Sequence, residues 1–187
     1  MNQPDDTQAY IQQCIRGRPE AWDWLVTSYG PKLYAYFFRR VASASEAEDL
    51  LQELMMKLVS HLDSDRHQGR FDAWLFTLAA NLVRDRARRR IRHPAPVQLP
   101  DEPLDTPAHA AQTDPAHLTE HAELHDRVQL ALADLPDLDR EILLLRYYGG
   151  LSFKELAEHF QLPIGTALAK VHRGLKTLRH KLGSVEI

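Results

Sequence analysis

The sequence predicts an all-α protein of two small helical domains joined by a proline-rich acidic linker. Apolar residues recur at intervals of three and four over most of the chain, which is the spacing of a buried helix face. Alternating β-branched residues between turn dipeptides, typical of strands, are absent. Residues 93–116 contain six prolines and no Lys or Arg, so this segment is predicted to be an extended linker. The domains then span residues 1–92 and 117–187.

Composition narrows the class of protein. The formal net charge of −3 means that any nucleic-acid surface must be locally basic. Cys14 is the single cysteine, which excludes an intramolecular disulfide and gives no support to a cysteine zinc site. No apolar run approaches the ~18 residues of a membrane span. Residues 1–6 also lack a signal-peptide pattern, so we expect a cytoplasmic protein without membrane insertion.

The first domain has a clear helical pattern. We expect Gly30-Pro31 to separate two aromatic-rich helices. Ser45 and Glu48 form a predicted capping box at the start of a long helix. Its buried stripe should consist of Ala47, Leu50, Leu51, Leu54, Met55, Leu58, Val59 and Leu62. The polar residues 63–69 are predicted to form a loop before a further helix over 71–92.

The second domain contains a predicted helix-turn-helix motif. Asp137 should cap a helix that ends at Gly149-Gly150. Ser152 and Glu155 form another capping box, which opens a short helix. A tight turn at residues 161–163 then leads into a longer last helix. Short helix, tight turn and longer helix are the layout by which DNA-binding proteins place a helix in the major groove.

Two faces are predicted for the last helix. The core face should contain Ile164, Leu168, Val171, Leu175, Leu178 and Leu182. The opposite face should contain Thr166, Ala169, Lys170, Arg173, Thr177 and His180. Lys and Arg in this position contact phosphates or guanine edges, whereas the alternative is a solvated basic surface. The preceding helix and turn favour DNA binding.

The helix over 71–92 ends in a basic cluster of Arg84, Arg86, Arg88, Arg89, Arg90 and Arg92. These cations repel one another unless anions lie near, and phosphates are the obvious partners. The negative end of the helix dipole explains one or two of them. Thr77, Asn81, Arg84, Asp85 and Arg88 share one face of this helix. Trp74 and Phe76 either stack on unpaired bases or belong to the core.

The preceding helix shows the opposite charge. Its outward face is predicted to contain Asp49, Gln52, Glu53, Met56 and Ser60. A flexible apolar residue among acidic groups suits a protein interface. A solvated acidic face explains the spacing equally well.

A histidine stripe, formed by His117, His121 and His125, offers a weak metal motif. Two histidines four residues apart on a helix can bind zinc. The HExxH arrangement and a nearby cysteine are both missing, so no metal site is expected. The sequence has neither a glycine-rich phosphate loop nor a nucleophile elbow. We therefore expect that the protein binds no cofactor and is not an enzyme.

Two sets of motifs carry a family resemblance. Residues 46–54 (EAEDLLQEL) and 71–90 (FDAWLFTLAANLVRDRARRR) resemble region two of the extracytoplasmic-function (ECF) group of bacterial sigma factors. Residues 131–136 and 140–147, followed by 150–157, Gly165-Thr166 and His172-Arg173, resemble region four of the same group. Their order, with a linker between them, makes the pair specific.

The resemblance implies a role for each surface. Asp49, Gln52 and Glu53 would dock on the β′ clamp helices of core RNA polymerase, which would also be bound through its β flap. Asn81 and the surface over 84–89 would meet the −10 element of promoter DNA. The loop over 63–70 would hold a flipped base, the last helix would read the −35 element, and the linker would enter the active-site cleft. An anti-sigma factor is a further implied partner.

One departure concerns the start of the last helix. The family usually has a polar run after its Gly-Thr-Val motif, whereas this chain has Ala167-Leu168-Ala169-Lys170. Leu168 is expected to lean toward the core. Ala169 lacks a side-chain donor but could contact a thymine methyl group.

Two other functions each account for part of the sequence. A stand-alone helix-turn-helix transcription regulator needs no polymerase contact and leaves Met56 on the acidic helix unexplained. A helical metalloenzyme would depend on the histidine stripe.

Overall fold

The computed structural model describes residues 4–62, 69–92 and 115–183, and the regular elements of these residues are all α-helices. The chain divides into two compact units, Met1–Gln98 and Leu99–Ile187. Residues 63–68 of the predicted loop over 63–69 and most of the predicted linker lie outside the described residues. No helix of the described part is long and apolar enough to cross a membrane.

Four helices form the described part of the first unit. They are α1 (Pro4–Ile15), α2 (Pro19–Val41), α3 (Ala44–His61) and α4 (Phe71–Arg92). Helix α2 packs against the other three, and α3 packs against α4. The largest fully buried side chains of this unit are Ile11, Leu25, Leu33, Tyr36, Phe37, Leu50, Leu54, Leu58, Leu75 and Phe76.

The predicted break at Gly30-Pro31 is wrong, because α2 continues through both residues. The chain instead turns at Gly17, where φ is +72° and glycine is favoured. A proline inside a helix costs about 3 kcal/mol. Leu33 and Phe37 follow it on the buried side of α2, and each gains about 1.5–3 kcal/mol from burial. Tertiary packing therefore outweighs the local penalty.

The start of α3 also differs from the prediction. Ser43 is the N-cap, and its hydroxyl accepts a hydrogen bond from the Glu46 backbone N–H at 3.4 Å. The predicted Ser45–Glu48 capping box is therefore wrong. Ser43 and Glu46 have the same spacing two residues earlier, and the helix begins there instead. The buried stripe is also narrower than predicted, since Val59 is exposed.

The second unit contains α5 (Pro115–Ala133), α6 (Asp137–Tyr148), α7 (Phe153–Phe160) and α8 (Ile164–Leu182). Helix α8 packs against each of the other three. The core includes Leu132, Leu135, Ile142, Leu145, Leu151, Leu156, Ala167 and Val171. Helix α5 begins inside the segment assigned to the linker, and proline is well tolerated in such a first turn.

The helix-turn-helix prediction is confirmed in its local structure. The hydroxyl of Ser152 accepts from the Glu155 backbone N–H at 3.2 Å, and the Glu155 carboxylate accepts from the Ser152 backbone N–H at 2.7 Å. Gln161 ends α7 in the left-handed conformation, with φ at +54°. The capping role of Asp137 is wrong, because Pro136 is the N-cap of α6 and Asp137 pairs with Arg140 instead.

Candidate nucleic-acid and protein interfaces

Part of the arginine cluster on α4 is paired within the first unit. Arg86 lies 3.6 Å from Asp49 and 3.9 Å from Glu53, both on α3. Arg90 lies 2.9 Å from the carboxylate of Glu46, whose side chain is almost completely buried. Carboxylates of α3 are therefore the anions that lie near this part of the cluster. Arg86 and Arg90 thus join α4 to α3, although the Arg90 side chain is also exposed to solvent.

The other cations of α4 form its outer surface. Arg88 lies 3.8 Å from Asp85, and Arg84 donates a hydrogen bond to Asn81 at 3.4 Å. Arg88 and Arg89 are exposed. The five residues predicted for the −10 element thus lie together along the second half of α4. Asp85 reduces the positive charge of this surface through its contact with Arg88.

The predicted protein-binding face of α3 contains both free and paired groups. Asp49, Gln52 and Met56 are exposed. Glu53 is half-buried, and it also lies 3.4 Å from Lys57. Met56 is among the most exposed large apolar side chains of the described residues. Methionine is enriched at protein interfaces, so an exposed Met56 suits a protein contact.

A hydrogen bond that the sequence did not reveal positions the start of α4. The Tyr29 hydroxyl on α2 donates to the carboxylate of Asp72 in the first turn of α4. The Tyr29 ring also meets the ring of Phe71 edge-on at 5.3 Å. Burial, followed by the hydrogen bond and the negative charge of Asp72, raises the pKa of Tyr29 well above its usual range.

The aromatic residues of α4 have different environments. Phe76 is buried and meets Tyr36 edge-on at 5.6 Å, so base stacking by Phe76 is excluded. Trp74 is half-buried and packs on Phe71, with ring centroids 5.8 Å apart.

Helix α8 is rotated relative to the prediction. Ile164 is 54% exposed and Leu168 is 45% exposed, so their assignment to the core is wrong. The buried face instead runs through Ala167, Val171 and Gly174. A β-carbon on Gly174 would lie 3.7 Å from the side chain of Leu143 on α6, which is ordinary van der Waals contact. Gly174 therefore lies on the face of α8 that packs against α6.

Lys170 was predicted to lie on the face opposite the core. Its ammonium instead binds a buried carboxylate. Its ammonium donates to Asp139 on α6 at 2.5 Å, and the two side chains are 16% and 7% exposed. Arg173 lies 3.6 Å from the second oxygen of Asp139 and is 64% exposed. Asp139 was not anticipated from the sequence. The Arg173 side chain is therefore largely exposed to solvent, whereas the Lys170 side chain is not.

Comparisons with known proteins identify the two units. The family model for Sigma-70 region 2 matches residues 25–93, and that for Sigma-70 region 4 matches residues 125–178. The ECF RNA polymerase sigma factor SigW of Bacillus subtilis is 30% identical over 92% of this chain and 94% of its own length. The RNA polymerase sigma-H factor of Pseudomonas aeruginosa is 28% identical over 93% and 92%, respectively.

These matches define the class of protein as an RNA polymerase sigma factor. The chain belongs to the ECF sigma factor family, and its function is to direct transcription initiation. Sigma factors are not enzymes, so the metalloenzyme alternative is wrong. The matches cover both units, which also excludes a stand-alone helix-turn-helix regulator.

Solved structures share the fold. The sigma factor RpoE of Bartonella quintana, crystallised with the anti-sigma factor NepR, has a TM-score of 0.64 at 24% identity, over 88% of this chain and 98% of that one. CnrH in complex with the cytosolic domain of CnrY has a TM-score of 0.60 at 23% identity, over 94% and 96%. Likenesses at these identities establish the fold only.

The histidine stripe cannot be assembled from the described side chains, because those of His117 and His121 lie outside them. Within the part of the chain that is described, no cluster of three or more His, Cys, Asp or Glu residues could hold a metal ion.

Proposed function

We propose that this sigma factor docks on core RNA polymerase through the exposed face of α3 and reads its promoter through α4 and α8. The observation that carries the proposal is the helix-turn-helix of α7 and α8. The second half of α8 has a basic outer surface. Each surface has a distinct chemistry, so each contact can be tested separately.

The polymerase contact is assigned to Asp49, Gln52, Glu53 and Met56. Gln52 and Met56 are exposed and project from a helix whose other side is buried in the core. Apolar side chains at the centre of an interface with a polar rim supply most of its affinity. We place Met56 at that centre and the acidic groups at its rim, against the β′ clamp helices.

The −10 contact is assigned to Asn81, Arg84, Asp85, Arg88 and Arg89. Arg88 and Arg89 are exposed, so their guanidiniums can approach the DNA backbone. Asn81 is partly exposed and has an amide that can read a base edge. The pairing of Arg86 and Arg90 with α3 holds α4 in place for this contact.

The −35 contact is assigned to Thr166, Ala169, Lys170 and Arg173 on α8. Arg173 offers an exposed guanidinium to phosphate or guanine. Lys170 contributes mainly by binding Asp139, which fixes the rotation of α8 against α6. Ala169 is exposed and presents only a methyl group to the groove.

Two further protein contacts complete the proposal, one with an anti-sigma factor and one with a second part of the polymerase. A solved sigma factor with this fold, RpoE of Bartonella quintana, is bound to the anti-sigma factor NepR. We assign an anti-sigma factor to this chain as the partner that withholds it from the polymerase. The β flap of the polymerase is assigned to the second unit, in keeping with the family resemblance.

Site-specific photocross-linking tests these assignments in the assembled holoenzyme. A benzophenone amino acid is placed at position 56, 88 or 169 of the full chain, and the complex with core polymerase and promoter DNA is irradiated. We expect cross-links to β′ from position 56, to the −10 element from 88 and to the −35 element from 169. Position 26 on α2, which is also exposed and apolar, is the control for position 56. DNA cross-links from position 56, or −10 cross-links from 169, would overturn the assignment of that helix.

A further inference from the structure

The first two turns of α8 present an apolar surface to solvent. Ile164, Gly165, Leu168 and Ala169 are all exposed. Lys170 is the only charged residue between positions 164 and 171, and its ammonium is bound to Asp139. Ile164 and Leu168 are four residues apart and therefore lie side by side along the helix. This part of the helix carries almost no free charge.

The second half of α8 has the opposite character. Arg173, Lys176 and Arg179 are exposed and basic. At 3.6 residues per turn, Arg179 follows on the same side of α8 as Leu168, whereas Arg173 lies on a different side. Water-exposed leucine and isoleucine beside such cations favour a polyanion that also offers apolar groups, rather than an apolar protein surface.

The major groove of DNA contains one apolar group. Among the base edges exposed there, only the C5-methyl of thymine is apolar, whereas the other groups are hydrogen-bond donors or acceptors. In helix-turn-helix proteins, residues near the N-terminus of the second helix contact the base edges. For a leucine in this position, contact with a methyl group strengthens binding. Contact that leaves a donor or acceptor of the base unpaired weakens binding.

We propose that Leu168, flanked by Ile164, reads thymine methyl groups in the −35 element. This inference rests on the proposed promoter-reading function of α8 and names the chemistry by which it selects sequence. Base choice is then made by apolar contact in the first two turns. The cations of the second half supply affinity through phosphates, without regard to sequence.

Replacing thymine by uracil tests the proposal, because uracil lacks only the methyl group. A promoter is first selected by the full holoenzyme from templates with a randomised −35 element. Each −35 thymine is then replaced by deoxyuridine, one at a time, and the rate of open-complex formation is measured. We expect a loss of about fourfold at one or two positions, equivalent to about 0.8 kcal/mol for one buried methyl group.

Variants of Leu168 assign the effect to this side chain. Leu168→Ala should lower the rate on the thymine template by a similar factor and should no longer distinguish thymine from uracil. Leu168→Met keeps an apolar side chain of similar size and should retain the distinction. Helical circular dichroism should be unchanged in both variants, because position 168 lies outside the buried face.

Three results would overturn the inference. The first is a wild-type holoenzyme whose rate changes with no uracil substitution. The second is a Leu168→Ala variant that still distinguishes uracil from thymine. The third is a Leu168→Ala variant that weakens transcription equally on templates with and without −35 thymines, which would assign Leu168 to a protein contact. If scrambling the whole −35 element has no effect on the wild-type holoenzyme, promoter reading by α8 fails as well. A scrambling effect without a uracil effect overturns only the thymine contact.

Discussion

Lys170 on α8 and Asp139 on α6 form a largely buried ion pair at 2.5 Å, which joins the last helix to the core of the second unit. The carboxylate lies within the first turn of α6, where the helix dipole also favours a negative charge. Removing one member of such a pair leaves the other charge uncompensated. Lys170 therefore stabilises the orientation of α8, and Arg173 beside it is the residue free to meet DNA.

Lys170→Ala is expected to destabilise the second unit by about 1–3 kcal/mol, because Asp139 keeps only the longer contact with Arg173. All three tryptophans, Trp22, Trp24 and Trp74, belong to the first unit. Urea unfolding should therefore show a shifted transition in circular dichroism and an unchanged one in tryptophan fluorescence. Arg173→Ala is the matched control and should cost less than about 1 kcal/mol, since its side chain is mostly exposed. Equal stability of Lys170→Ala and wild type would contradict the structural role.

Arg173→Ala is expected to weaken transcription from promoters that depend on the −35 element. If Arg173 reads a base, discrimination at one position should fall by about 1–3 kcal/mol. If it contacts phosphate, all −35 sequences should weaken alike, and the salt dependence of binding should decrease by about one unit of slope. Transcription across a −35 library at two salt concentrations separates these results. Unchanged output from every template would remove Arg173 from the promoter contact.

Met56→Glu is expected to weaken binding to core polymerase at least tenfold, because the carboxylate would be buried at an apolar interface centre. Val26→Glu introduces the same charge at another exposed apolar position and should leave binding unchanged. Charge reversal at Asp49 and Glu53 is a poorer test, since both lie near Arg86 and a positive charge there would repel α4. Co-elution with core polymerase, alongside circular dichroism, gives the comparison. Equal binding by both glutamate variants would place the polymerase contact elsewhere.

Tyr29→Phe should destabilise the first unit by about 0.5–1.5 kcal/mol near neutral pH through loss of the hydrogen bond to Asp72. Folding raises the pKa of Tyr29 above its unfolded value near 10, so its contribution is complete below pH 10 and is lost as the pH rises further. The difference between wild type and Tyr29→Phe should therefore shrink between pH 10 and 11. Urea unfolding followed by tryptophan fluorescence measures it. A difference that grows with pH would contradict the environment assigned to Tyr29.

The helix-turn-helix was predictable because its determinants are local. The Ser152–Glu155 capping box and the turn after α7 depend on residues within a few positions of one another. The outward face of α3 was likewise predictable from its spacing. Such features need no knowledge of the helices that pack nearby.

The rotation of α8 was not predictable in this way. The spacing of large apolar residues favours a core face through Ile164 and Leu168, whereas the buried face of α8 runs through Ala167, Val171 and Gly174, and Gly174 meets Leu143 on α6. The pairing of Arg86 with carboxylates on α3 depends in the same way on how two helices meet. Pro31 also shows that burial of neighbouring side chains can override a local helix-breaking signal.

Transcription by core RNA polymerase, with and without the full chain, tests the central claim most directly. Templates with an intact or a scrambled −35 element are transcribed with wild type, Met56→Glu and Arg173→Ala. We expect wild type to initiate at one start site on the intact template, Met56→Glu to lose initiation on both templates, and Arg173→Ala to initiate more weakly than wild type on the intact template. Initiation that does not depend on the chain, or Met56→Glu and Arg173→Ala variants that both transcribe like wild type, would contradict the account.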